Sequence, residues 1–229
     1  MSRISRTGVL AAYRDGVMVI CELAAQFPDA TWLAPTPCAE WRATDLAGHL
    51  RCIADNYHEY LDDAPASRLA RLMAADAPAD VTADPLARKL ARQNAAELAA
   101  LADAAGPEHI AAFMAAARAY ADRVLPLWDL PHHRFGDTVV TVGGMVGAAC
   151  AEWHLHAWDL AAALGKDYQP ASPEVLVAGW RAGMPHLPLD AGVALAPCGA
   201  AVGNGARPGV TTADGAWRSL LHASGRIPH

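Results

Sequence analysis

The stretch Ala151-Glu152-Trp153-His154-Leu155-His156-Ala157-Trp158-Asp159 decides how this chain is read. Its spacing places it in a helix over about Gly143–Leu164, stopped by Gly165. Glu152 and His156 are four residues apart and share one face, which continues through the apolar Met145, Ala149, Leu160 and Ala163. A carboxylate on a bundle-facing apolar stripe is costly unless a cation or a hydrogen-bond donor meets it. A metal ion is the simplest such partner, because it takes both a carboxylate and a neutral imidazole. Alternatively, Glu152 meets an arginine across the bundle and His156 is a satisfied core histidine.

Outward from this helix the chain is helical almost throughout. A first helix is expected from about Gly8 to Phe27, capped by Thr7, with Leu10, Tyr13, Val17, Ile20, Ala24 and Phe27 as its stripe. A second starts near Thr44 and turns Leu46, Leu50, Ile53, Tyr57 and Leu61 inward. A third spans Pro85–Ala105 and a fourth Pro107 to about Val124, with Gly106-Pro107 between them. Residues 126–142 read as a loop or short strand. The expected fold is all-α, an up-and-down four-helix bundle with an additional helix over residues 1–169. Residues 170–229 read as a small C-terminal appendage, α/β or irregular. It has helices at about Ser172–Met184 and Thr212–Ser224, and a short strand near Val193–Ala196.

His49 lies on the inward face of the second helix, between Leu46, Leu50 and Ile53. One histidine on an apolar face is usually a core residue. Its helix is, however, a natural neighbour of the fifth, and facing helices of bundles are where metal sites are built. His49, Glu152 and His156 would give three ligands and leave positions open for water, a thiolate or a substrate.

The 229 residues are 53% hydrophobic and 18% charged, which excludes an intrinsically disordered chain. A net charge of −6 and no basic block argue against nucleic acid as the partner. No apolar run reaches membrane-spanning length, so a cytoplasmic protein acting on a small molecule, as monomer or homodimer, is expected. The five cysteines, Cys21, Cys38, Cys52, Cys150 and Cys198, are far apart with no CxxC pair and read as reduced thiols.

Two stretches carry a family resemblance. Pro37-Cys38-Ala39-Glu40-Trp41-Arg42-Ala43-Thr44-Asp45-Leu46-Ala47-Gly48-His49-Leu50 resembles the C-x-x-W-x-x-x-D-x-x-x-H signature of DinB-like proteins, in particular the mycothiol-dependent maleylpyruvate isomerase group. The run from Glu152 to Gly165 is similar to that group's E-x-x-x-H-x-W-D-L-A-x-A-x-G. Leu220-Leu221-His222-Ala223-Ser224-Gly225-Arg226 resembles its LL-x-x-x-GR ending. The resemblance implies a DinB-like bundle that binds a divalent metal, usually zinc, through His49, Glu152 and His156. It further implies mycothiol or a similar thiol as cofactor, and an S-transferase or thiol-assisted isomerase activity. Two alternatives stand beside it: a metal enzyme without thiol, working by Lewis-acid catalysis, and a non-catalytic metal-binding bundle.

Other residues take lesser expectations. Asp159, seven after Glu152 on the same face, reads as a carboxylate that orients a ligating histidine. Asp45 reads as a cap, Trp41 and Trp158 as packing anchors, and His154 as facing away from the site. His132 and His133 read as a solvated loop. Asn56 and Tyr60 extend the His49 face, and Arg118, Arg123 and Arg134 are anion-binding candidates that nothing in the sequence ranks.

Overall fold

A computed structural model describes residues 5–38, 41–62, 83–101, 103–135, 137–185 and 215–227. Among these, seven α-helices surround one small hairpin: α1 Arg6–Ala24, α2 Ala43–Asp62, α3 Ala83–Ala100, α4 Gly106–Arg123, β1 Pro131–Phe135, β2 Thr138–Thr141, α5 Val142–Ala163, α6 Pro173–Gly183 and α7 Gly215–Ala223. The expected all-α bundle is present, and 126–142 contains an antiparallel hairpin. The proposed strand near Val193–Ala196 lies outside the described residues.

The helix starts follow local chemistry. Ser5, not Thr7, caps α1: its Oγ accepts from the Gly8 N–H at 3.1 Å. Asp45 accepts from the Arg42 N–H at 2.8 Å and so satisfies an orphan donor at the start of α2. Thr141 does the same for α5 through Gly144, and Gly165 leaves the other end at φ 66.

Helix α5 is buried nearly all round, from Val142 to Ala151 and again from Trp153 to Ala161. It is therefore the axis of the bundle and not an amphipathic stave, because α1 and α2 flank it and α6 covers what they leave open. Trp153 anchors it: its ring centroid lies 6.0 Å from Tyr13, 5.9 Å from Tyr57 and 5.0 Å from Phe113. Four helices thus meet on one indole.

Helix α6 reaches α5 through glycines. A Cβ at Gly147 would stand 2.7 Å from the Gly179 Cα, and one at Gly183 would stand 2.3 Å from the Gly144 carbonyl oxygen. Backbone faces backbone here, so no rotamer change relieves the clash. Gly147→Ala is expected to cost about 1–3 kcal/mol. In thermal unfolding that is a Tm lower by roughly 2–12 °C for a chain of this size; an unchanged Tm would mean that α6 does not sit this close.

Several buried histidines are held uncharged. Burial lowers the pKa of His132 to about 4, helped by the neighbouring His133, and lowers that of His154 below the usual imidazole range. A base whose folded pKa lies below its unfolded value leaves the unfolded chain binding more protons. Its stabilisation is present above about pH 6.5 and is lost as pH falls towards the folded value. Denaturation midpoints should fall steadily from pH 7 to pH 5, by on the order of 2 kcal/mol from His132 alone. A flat profile over that window would contradict neutral burial.

Candidate metal centre

Helix α2 brings His49 to α5. The His49 and His156 ring centroids are 5.2 Å apart, edge to face, and both residues are buried. The Trp41 ring also packs on His49, with centroids 4.6 Å apart and planes tilted by 55°, so the expected packing anchor holds the imidazole. Leu46, Leu50 and Ala47 are fully buried around it. Glu152 is half-buried one turn before His156. Its charge is, after burial itself, the largest factor raising the pKa of Tyr57 on α2. Of the predicted ligands, His49 and His156 meet at the α2–α5 seam, and Glu152 stands one turn before His156 on α5.

His156 is oriented from behind. Its Nδ1–H donates to Asp159 Oδ2 at 3.0 Å, one turn along α5. This fixes the tautomer with the lone pair on Nε2, the arrangement a metal-ligating histidine uses. Burial lowers the His156 pKa despite the Asp159 hydrogen bond, so the ring is neutral near pH 7. Two imidazoles and a carboxylate are a donor set suited to a borderline divalent ion with positions left open.

Asp159 is itself fully buried and is balanced by Arg226, which was legible only as part of a terminal motif. Arg226 Nε donates to Oδ1 at 2.9 Å and a terminal NH2 to Oδ2 at 2.6 Å, a bidentate pair. Burial alone would raise the Asp159 pKa; the Arg226 charge and the His156 and Arg226 hydrogen bonds outweigh it and hold the carboxyl below its usual range. The motif acquires a mechanical meaning. Leu220 and Leu221 are fully buried and dock α7, and Gly225 at φ 72 turns the chain. The Arg226 N–H bonds back to the Leu221 carbonyl at 2.9 Å, and its side chain enters the bundle.

Cys38, His156 and Asp159 offer ligand atoms that all lie within 4.8 Å of one another, with Cys38 Sγ 3.4 Å from Asp159 Oδ2. A cation seated there would face the Arg226 guanidinium, which already occupies both Asp159 oxygens. Cys38 is also disulfide-bonded, which corrects the reading of all five cysteines as thiols; Cys21 and Cys150 carry no disulfide. A disulfide sulfur is not the thiolate that metals bind. Among the described residues this is the group of three ligand-type side chains brought within reach of a single ion, and it shares His156 with the predicted set.

The remaining candidates separate cleanly. His154 faces α1, where its Nε2 contacts the Ala12 carbonyl at 2.9 Å and its Nδ1 the Tyr168 hydroxyl. Arg123 pairs with Asp62 and contacts His58 on the exposed side of α2, so it serves the bundle surface. Asn56 is buried and its Nδ2 has no hydrogen-bond partner among the described residues. His132 is not the solvated residue expected, being 8% exposed.

No helix among the described residues is long and apolar enough to cross a membrane. Neither the curated proteins nor the solved structures yield a significant match to this chain. A family model does: the mycothiol maleylpyruvate isomerase N-terminal domain matches residues 14–161, the stretch that carries His49, Glu152, His156 and Asp159. That match covers more than half of the chain, which therefore belongs to the mycothiol maleylpyruvate isomerase N-terminal domain family, a DinB-like family.

Proposed function

We propose that this chain is a divalent-metal-dependent enzyme working with a low-molecular-weight thiol of the mycothiol type, as an S-transferase or a thiol-assisted isomerase. His49, Glu152 and His156 would hold the ion, with zinc the expected metal. The observation that carries this is the seam itself: His49 and His156 rings 5.2 Å apart, with His156 Nδ1 fixed on the buried Asp159. When bound, such an ion supplies acidification of the thiol and polarisation of a substrate carbonyl.

The chain's own residues prepare that chemistry. Burial keeps His156 neutral, so its Nε2 lone pair stays available at neutral pH. Asp159 accepts a hydrogen bond from the Nδ1–H and holds the ring in place, and Arg226 keeps Asp159 ionised without solvent. Trp41 and the buried leucines of α2 keep water from the His49 side.

Elemental analysis of purified wild type and His49→Ala tests the ligand set. Wild type should retain about one divalent ion per chain, while the variant should bind it at least about 10–100-fold more weakly, the loss that even an outer partner causes. Full stoichiometry and affinity in the variant would sink the site. Cobalt-substituted protein then tests the thiol: added mycothiol should shift the visible bands, and an unchanged spectrum at saturating thiol would leave the metal site without its thiol role.

A further inference from the structure

At the hairpin, two consecutive histidines do what consecutive strand residues ordinarily cannot. Neighbouring side chains on a strand point to opposite faces. In β1 the register with β2 slips between Pro131 and His133: Pro131 pairs with Thr141 and His133 with Val140, leaving His132 as the extra residue of a bulge. The bulge turns both rings to the same side. Their Nδ1 atoms stand 2.9 Å apart, with the ring planes at 83°. His132 is 8% exposed and its ring lies 6.1 Å from that of Tyr60, while His133 is half-buried.

We propose that the His132–His133 Nδ1 pair is a second divalent-cation site, separate from the α2–α5 seam and selective for ions of octahedral or tetragonal preference. The distance is what selects the ion. Two nitrogens at about 2.0–2.1 Å from a metal are about 2.9 Å apart when cis at a right angle, and about 3.4 Å apart at a tetrahedral angle. The observed 2.9 Å fits the first geometry, which Ni(II) and Cu(II) adopt and structural zinc does not.

Burial lowers both pKa values, and His133 further disfavours a charge on His132, whose pKa comes to about 4, so protons compete little with an ion at neutral pH. The pair itself supplies two protein nitrogens, so binding should be weaker than at a site with three protein ligands. The position is also distinct. Tyr60 lies three turns beyond His49 on α2, roughly 16 Å along the helix axis. An ion at the hairpin therefore shares no ligand with one in the seam.

The alternative for the same geometry is a plain hydrogen bond, with one Nδ1–H donating to the other Nδ1. Nickel titration of tag-free protein separates the two. Nickel is used instead of copper because Cys21 and Cys150 carry no disulfide and thiols reduce Cu(II). Wild type should bind Ni(II) at the hairpin with octahedral d–d bands and should do so equally in His49→Ala. His133→Ala should weaken that event at least tenfold. His132→Phe, which keeps a ring against Tyr60, should do the same with a folded circular dichroism spectrum. Unchanged nickel stoichiometry and affinity in both hairpin variants, or loss of this event in His49→Ala, would overturn the site.

Discussion

Arg226→Leu is expected to lower stability by about 3–5 kcal/mol, because it leaves a fully buried carboxylate without its counter-charge. For a chain of this size that is a Tm lower by roughly 6–20 °C. The prediction has a pH signature that a lost apolar contact would not give. In wild type the folded Asp159 pKa is depressed, so the stabilisation it contributes is present above the unfolded carboxylate value and lost as pH falls through the folded one. In the variant, only the His156 hydrogen bond still opposes burial at Asp159, so the carboxyl pKa rises and the variant regains relative stability as the carboxyl protonates. The gap between the two proteins should narrow from pH 7 to pH 4. Pairing the change with Asp159→Leu should recover most of the loss, since an apolar replacement of a whole buried ion pair is often neutral or stabilising. Additive losses in the double variant would show that the two side chains do not interact.

The sequence was a good guide to α5 where periodicity and side-chain chemistry coincide. Glu152, His156 and Asp159 could be ordered along one face because a helix fixes what lies four and seven residues away. Asp159 behind His156 was legible for the same reason. Arg226 was not. It arrives from 67 residues along the chain, delivered by a left-handed turn at Gly225, and no local spacing encodes that meeting. The all-round burial of α5 was missed for a related cause: its run of Gly and Ala reads as a weak stripe. The packing of α6 on Gly144 and Gly147 becomes apparent only when the partner glycines, Gly179 and Gly183, are seen opposite.

The hairpin shows the same limit at shorter range. His132-His133 between Pro131 and Gly136 reads as a solvated loop because Pro and Gly punctuate it. One slipped register position cancels the alternation and buries His132 instead.

Asp159→Asn and Glu152→Gln together decide which buried group holds the ion. If His49, Glu152 and His156 are the ligands, Glu152→Gln removes the only anionic donor and should abolish stoichiometric binding. Asp159→Asn should instead weaken affinity by about 10–100-fold, the usual cost of disturbing the partner that orients a ligating histidine. The physical reason is that a neutral amide still occupies the space but neither fixes the His156 tautomer nor raises the basicity of Nε2. It also leaves Arg226 buried without an anion, so a lower Tm should accompany the loss. If Cys38, His156 and Asp159 were the ligands, the order would reverse: Asp159→Asn would abolish binding and Glu152→Gln would leave it near wild type. Competition against a chromogenic chelator on the two variants reads the order directly. We expect Glu152→Gln to be the more damaging because the Arg226 guanidinium, 2.6 Å from Asp159 Oδ2, stands where the second ligand set would need its cation.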